Sequence, residues 1–251
     1  MSPRSCTAAI LLALFAFIAI APPAYSAENP AVDPRAEEIL KAAADYLKKA
    51  KEFTFHAEIT VDDALPTGQN IQYGASLDAA MKRPNRLRTV YRGDLRNASA
   101  WYDGKTYTRL NTDRNLYASW KAPSSVDGLI DKLKEKLGVR IPLSSLFYND
   151  PYKVMSEGIQ ASTYAGLHLV GGTPCHHLLL TQEDMDAQVW IEEGTQLVFR
   201  KVVMTFKNIP GAPQFTAVFS GWDFTPRLPE ILFSFVPPEG ADKIEFIPVD
   251  K

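Results

Sequence analysis

Four residues in the C-terminal half carry side chains that could bind a metal or act as nucleophile and base. Cys175, His176 and His177 are consecutive, and His168 precedes them across Gly171-Gly172. Thiolate and imidazole are competent zinc ligands, but a site needs several of them to converge. On a β-strand, neighbouring side chains point to opposite faces. His176 and His177 therefore work against a shared ion, and His168 can approach only one of them. No carboxylate is spaced to complete a set. The expectation is a structural Cys175 beside polar strand histidines, with no metal and no cofactor. Asp184 and Asp186 flank one turn and Glu192-Glu193 begin another. Paired carboxylates can do acid–base chemistry, but at turns they read as solvated charges. Gly-x-Ser-x-Gly, His-Glu-x-x-His, Walker and dinucleotide glycine loops and Cys-x-x-Cys are all missing from the chain. No catalytic residue is assigned.

The aromatic residues are the other chemical resource. Trp101, Tyr107, Tyr117, Trp190, Phe199, Phe215 and Phe219 all fall in β-rich runs. Cross-strand packing accounts for such residues in general, and part of the set could instead wall a cavity for an acyl chain. The run Gln188–Trp222 concentrates them. It contains three β-rich segments, separated by Glu193-Gly194 and by Asn208-Ile209-Pro210-Gly211-Ala212-Pro213. A two-residue turn at Glu193-Gly194 would set Trp190 opposite Leu197 and Gln188 opposite Phe199. One face then carries Trp190, Leu197, Phe199 and Val203, and the other Val189, Ile191, Val198, Val202, Met204 and Phe206. A sheet wetted on one side alternates apolar and polar residues. This one is apolar on both sides, so both faces need a cover.

The elements that position these residues can be read in order. Asp33-Pro34 is an N-cap followed by proline at the first helical position. Ala36, Ile39, Leu40, Ala43, Tyr46, Leu47 and Ala50 then recur at helical spacing. From Phe53 the period changes to two, and Phe53, Phe55, Ala57, Ile59 and Val61 alternate with Thr54, His56, Glu58 and Thr60. Further strands are expected over Gln69–Met81, Leu87–Arg92, around a hairpin at Asp103-Gly104, and over Leu116–Trp120. Pro123-Ser124-Ser125 starts a second helix whose stripe is Val126, Leu129, Ile130, Leu133 and Leu137, with Gly138 as its stop. A shorter helical piece is expected in Pro142–Tyr148. Strands resume over Ser162–Val170 and Cys175–Gln182, and a short one is expected from Phe233 into the final prolines.

The N-terminus is a separate case. Arg4 precedes an apolar run from Ala8 to Ala21, and Ala24-Tyr25-Ser26-Ala27 offers small residues for cleavage after Ser26 or Ala27. This is the layout of a cleaved secretory signal over residues 1–26, and the apolar run is short for a membrane span. Residues 27–251 then form one expected domain of about 225 residues, with no repeat or linker to divide it. The full chain has a formal net charge of −2, and losing Arg4 makes it one unit more negative. That balance excludes a nucleic-acid role. Only Cys175 remains of the two cysteines once Cys6 is removed, so no intrachain disulfide is expected.

A set of short motifs in fixed order carries a resemblance. It comprises Arg83-Pro84 before a strand, Tyr102-Asp103-Gly104-Lys105, Tyr117 with Ala122-Pro123 leading to Asp127, and Pro142-Leu143-Ser144-Ser145-Leu146-Phe147. Asp150-Pro151, Val189-Trp190-Ile191-Glu192 and Phe235-Val236-Pro237-Pro238-Glu239-Gly240-Ala241 complete it. Together these resemble a family of predicted periplasmic proteins of unknown function related to the lipoprotein-carrier superfamily of LolA and LolB. The resemblance implies an α+β fold, in which a strongly curved antiparallel sheet forms an unclosed half-barrel with helices packed on its concave face. It further implies an apolar cavity between helices and sheet, in a soluble exported periplasmic protein. On that basis Trp101, Tyr107, Tyr117, Trp190, Leu197, Phe199, Phe215 and Phe219 are expected to line the cavity. Leu129, Ile130 and Leu133 would belong to a lid. The expected ligand is an apolar small molecule or the acyl chain of a lipoprotein, held by a non-enzymatic binding protein. A sensor or scaffold that recognises a protein partner in the cell envelope is the alternative, and a hydrolase a further one.

Overall fold

A computed structural model describes residues 31–138 and 141–245. The signal peptide expected over residues 1–26 lies outside the described residues. Among those described, no helix is long and apolar enough to cross a membrane.

Asp33 opens helix α1 (Pro34–Lys49) as expected, its carboxylate accepting from the Arg35 and Ala36 amides. The same carboxylate also accepts from the Tyr164 amide, and these bonds hold its pKa below the ordinary value. One side chain thus starts the helix and ties it to a strand 131 residues away. Ala36, Leu40, Ala43, Ala44 and Leu47 are the buried stripe of α1.

A meander follows: β1 (Glu52–Ala64), β2 (Asn70–Lys82), β3 (Arg86–Gly93), β4 (Asn97–Tyr102), β5 (Thr106–Asn111) and β6 (Leu116–Lys121). Helix α2 (Val126–Leu137) is capped by the Ser125 hydroxyl and ends on Gly138 at φ 63°. A 3-10 turn (Ser144–Phe147) and a short helix α3 (Pro151–Ser156) lead into a second meander. Its strands are β7 (Ala161–Val170), β8 (Thr173–Thr181), β9 (Met185–Glu192), β10 (Phe199–Phe206) and β11 (Gln214–Asp223). A 3-10 turn (Glu230–Phe233) precedes β12 (Asp242–Lys243).

The two meanders join because β1 pairs with β11, giving one sheet ordered β12-β6-β5-β4-β3-β2-β1-β11-β10-β9-β8-β7. Every neighbouring pair is antiparallel except β12 with β6. The strands β7 and β12 are the edges, so the sheet is an open half-barrel of the α+β class. Its inner face can be followed by register, since directly paired residues share a face. One row runs Phe53, Met81, Leu87, Tyr102, Tyr107, Trp120. Another runs Ile59, Ala217, Val202, Val189, Leu178, Tyr164. The three helices and the buried members of both rows belong to one hydrophobic core.

Three expectations need correction. The loop after β9 is longer than a two-residue turn, and the Glu192 amide donates to the Val198 carbonyl. Phe199 therefore pairs with Ile191, and Gln188 with Val203. A bulge at Arg200 shifts the register so that Lys201 faces Trp190. Phe199 consequently shares the inner face with Val202, while Trp190 and Val203 lie on the outer one. The bulge inserts one residue, and side-chain alternation reverses across it. Second, the segment from Phe233 is not a strand. Phe233 ends a 3-10 turn, fully buried, and Phe235 packs on Trp101 and Tyr117, with ring centroids 5.0 and 4.9 Å apart. That segment supplies the cover needed on the outer face of this half. Third, α3 was not expected, although Asp150-Pro151 repeats the Asp33-Pro34 signal and Asp150 accepts from the Lys153 amide.

Candidate functional site

The inner face of β8, β9 and β10 forms the floor of a cavity. Leu180, Ala187 and Met204 are a directly paired row across these strands, and Val189 and Val202 are a second pair beside it. Met185, Phe199 and Phe206 complete the floor. The roof comes from three other places in the chain. Leu40 reaches in from α1, Val154 and Met155 from α3, and Ile141–Leu146 from the segment between α2 and α3. The volume between floor and roof is about 170 Å³. Strand alternation explains the floor, since every second residue of β9 (Met185, Ala187, Val189, Ile191) is buried on this face.

Among the described residues, and apart from the Ser144-Ser145 turn in the roof, polar side chains enter only at Lys134 and Gln182. Lys134, the only ionisable side chain among the described lining residues, donates through Nζ to the Tyr148 hydroxyl at 3.0 Å. Tyr148 in turn donates to Asp131, and burial followed by that carboxylate pushes the phenol above its ordinary pKa. Gln182 donates through Nε2 to the Glu157 carbonyl at 2.7 Å, which orients the amide, and its Oε1 is buried without a partner among the described residues. An amide oxygen can accept two hydrogen bonds, so a ligand hydroxyl or amide at this rim would find an acceptor.

The expected site residues disperse. Phe199 is on the cavity floor. Tyr107, Phe215 and Phe219 are in the core on the inner face, and Leu197 is half-buried against that core. Trp101, Tyr117 and Trp190 sit on the outer face, one residue out of phase with Tyr102, Ala118 and Val189. Leu129, Ile130 and Leu133 of α2 are buried in the core over the other half of the sheet, where Lys132 and Lys136 of the same helix lie over the Trp120 ring. The sequence reading missed Leu40, Leu143, Leu146, Val154, Met155, Leu180, Met185, Ala187, Val189, Val202, Met204 and Phe206. Most are aliphatic, whereas the residues expected at the cavity are mainly aromatic. The β9 alternation Met185-x-Ala187-x-Val189 was the available signal.

A titratable cluster outside the cavity surrounds His56. His56 is held between two carboxylates, Nδ1 2.7 Å from Asp78 and Nε2 2.8 Å from Glu58. The Asp78 bond first, and then the Glu58 bond, raise its pKa. With both ring nitrogens engaged by acceptors it is an imidazolium holding three strand residues together. It is not a poised base.

A family model described as "Predicted periplasmic protein (DUF2092)" matches residues 36–247. A comparison with curated proteins returned no match. Among solved structures, lipoprotein LppX of Mycobacterium tuberculosis matches at 14% identity and a TM-score of 0.44, over 78% of this chain and 98% of its own. An uncharacterized conserved protein from Thermus thermophilus matches at 10% identity and 0.47, over 84% and 99%. A LolA superfamily protein from Nitrosomonas europaea matches at 10% identity and 0.39, over 80% and 97%.

Proposed function

The chain belongs to the DUF2092 family of predicted periplasmic proteins, and from that premise and the geometry above we propose that it is a non-enzymatic binding protein for an apolar ligand. The observation that carries this is the cavity on β8–β10, apolar across its floor and most of its roof, with polar side chains among the described lining residues only at Lys134, Gln182 and the Ser144-Ser145 turn. Burial of apolar ligand surface would drive binding at ~25 cal/mol per Å². The cavity volume of about 170 Å³ compares with ~150 Å³ for a cavity that holds benzene and ~300 Å³ at the low end of ligand pockets. The cavity as it stands therefore accepts the end of an acyl chain or a small apolar molecule. A larger lipid requires the roof to move. The roof segment Ile141–Met155 is the proposed gate, in place of α2, because α2 contributes only Lys134 to the wall.

Displacement of a fluorescent fatty-acid analogue tests this. Ala187→Phe places a ring on the floor of the cavity and should abolish binding in a folded protein. Undiminished binding by that variant would remove the cavity from the account.

A second reading is favoured by the edge strand β7, where Leu167 and Leu169 are 48% and 70% exposed. An exposed sheet edge can add a strand from a protein partner. Stoichiometric co-purification of an envelope protein, lost when proline replaces Leu169, would support this second reading.

A further inference from the structure

The outer face of the second meander brings His168 and His177 together with their Nδ1 atoms 2.9 Å apart. We propose that this pair is a binding site for a late first-row divalent metal ion, Cu²⁺ ahead of Ni²⁺ and Zn²⁺, independent of the apolar cavity on the other face.

His177 is positioned before any ion arrives. Its ring stacks on Trp190 at 4.0 Å with an interplanar angle of 12°. Trp190 is nearly buried, and Lys201 lies 4.8 Å from its ring centroid. His177, Trp190 and Lys201 form a directly paired row across β8, β9 and β10, which fixes the plane of the imidazole. The other ring nitrogen, Nε2, is 3.1 Å from the Gln188 Oε1. A carboxamide oxygen only accepts, so Nε2 carries the proton and the Nδ1 lone pair is directed at His168. A partner that holds the far nitrogen of a ligating histidine in this way sets its tautomer and its direction.

His168 is the exposed partner, on the edge strand with its ring tilted 64° from that of His177. Without an ion, the hydrogen between the two Nδ1 atoms belongs to His168. Binding moves that proton to Nε2 of the same ring, the other neutral tautomer, and the exposed His168 ring turns off the Nδ1–Nδ1 line so that both lone pairs can reach one ion. No net proton is released, and the ion exchanges water for two imidazoles.

Geometry then selects the metal. With metal–nitrogen bonds of about 2.0 Å, two nitrogens held 2.9 Å apart subtend about 90° at the ion. That is the cis angle of tetragonal Cu²⁺ and Ni²⁺ and is narrower than the tetrahedral angle zinc prefers. The affinity order of the divalent ions favours copper as well. Among the described residues no third histidine, cysteine or carboxylate joins the pair. Cys175 faces the same side opposite His168, but it is fully buried and donates to the Thr173 carbonyl. Water completes the coordination.

The stacking of Trp190 on His177 supplies the readout, because Cu²⁺ at His177 quenches that indole. CuSO₄ titrated into the full-length protein should quench tryptophan fluorescence with one-to-one stoichiometry, and the electron paramagnetic resonance spectrum should show two equatorial nitrogens. His168→Ala should abolish the one-to-one quench, and Gln188→Ala should weaken it about 10- to 100-fold, the usual loss when such a support is removed. His176→Ala, which removes the adjacent imidazole from the opposite face, should leave it unchanged. An undiminished quench in His168→Ala, or loss of binding in His176→Ala, would overturn the assignment.

Discussion

The indole Nε1 of Trp222 donates to the carbonyl oxygen of Phe199 at 2.9 Å, fastening the end of β11 to the start of β10 where the cavity floor begins. The same indole lies 4.7 Å from the Phe55 ring and stacks on Phe224 within 2° of parallel. Floor and aromatic core are thus joined through one side chain. Trp222→Phe keeps a ring in the cluster but leaves the Phe199 carbonyl without its donor. An unpaired buried acceptor costs about 1–3 kcal/mol. Chemical denaturation should show a loss of that size, and an unchanged midpoint would mean that the bond contributes nothing net.

Roof and lid make a second prediction, from two leucine- and methionine-to-alanine changes of opposite consequence. Leu133 of α2 is 9% exposed in the core, so Leu133→Ala should cost about 2–5 kcal/mol and leave ligand affinity unchanged. Met155 lines the cavity and is only half-buried. Met155→Ala should cost less stability and raise affinity for a bulkier apolar ligand, because it enlarges the roof. Thermal unfolding and fatty-acid-analogue binding, measured on both variants, separate the two helices. A gain in affinity for Leu133→Ala alone would return the lid to α2.

Acidity supplies a third. The pKa of His56 is raised from 6.5 and that of Asp78 lowered from 3.8, each chiefly by its bond to the other. A raised histidine stabilises fully below its unfolded value and loses that contribution as pH climbs through the folded pKa. A depressed aspartate stabilises above its unfolded value and loses the contribution as pH falls. Their joint contribution therefore spans from below pH 3.8 to above pH 6.5. His56→Gln should flatten the stability profile across that window. An NMR titration of His56 with a midpoint at or below 6.5 would contradict the pairing.

Cys175 is buried completely beside Trp190, Val203 and Val170 in a small cluster on the outer face. Its substitution by alanine removes one small buried group, so a loss of ~1 kcal/mol is expected, with ligand binding at the cavity intact. Denaturation together with the binding assay checks both halves of that statement.

What could be read from the sequence follows from how local each signal is. The cap at Asp33, the stripe of α1, the alternation of β1 and the Asp103-Gly104 turn are decided within a few residues, and each stands where expected. The half-barrel itself came from the order of the motifs, since the pairing of β1 with β11 joins segments too far apart for any local pattern to show. The cavity was hidden for two reasons. The longer loop pairs Phe199 with Ile191, and the bulge at Arg200 then reverses the phase of β10, so Phe199 stands on the face opposite Trp190 and Val203, with which the reading had grouped it. The roof residues Leu40, Leu146 and Met155 come from three separate segments and look like ordinary core. Likewise His168 and His177 meet only because β7 folds back on β8.

Native mass spectrometry of the protein purified from its own periplasm bears most directly on the binding role. A bound apolar species of defined mass, present in wild type and missing from Ala187→Phe, is the predicted result. Wild-type protein that is recovered folded and free of any such species, and that takes up none when lipid extract is added, would contradict it.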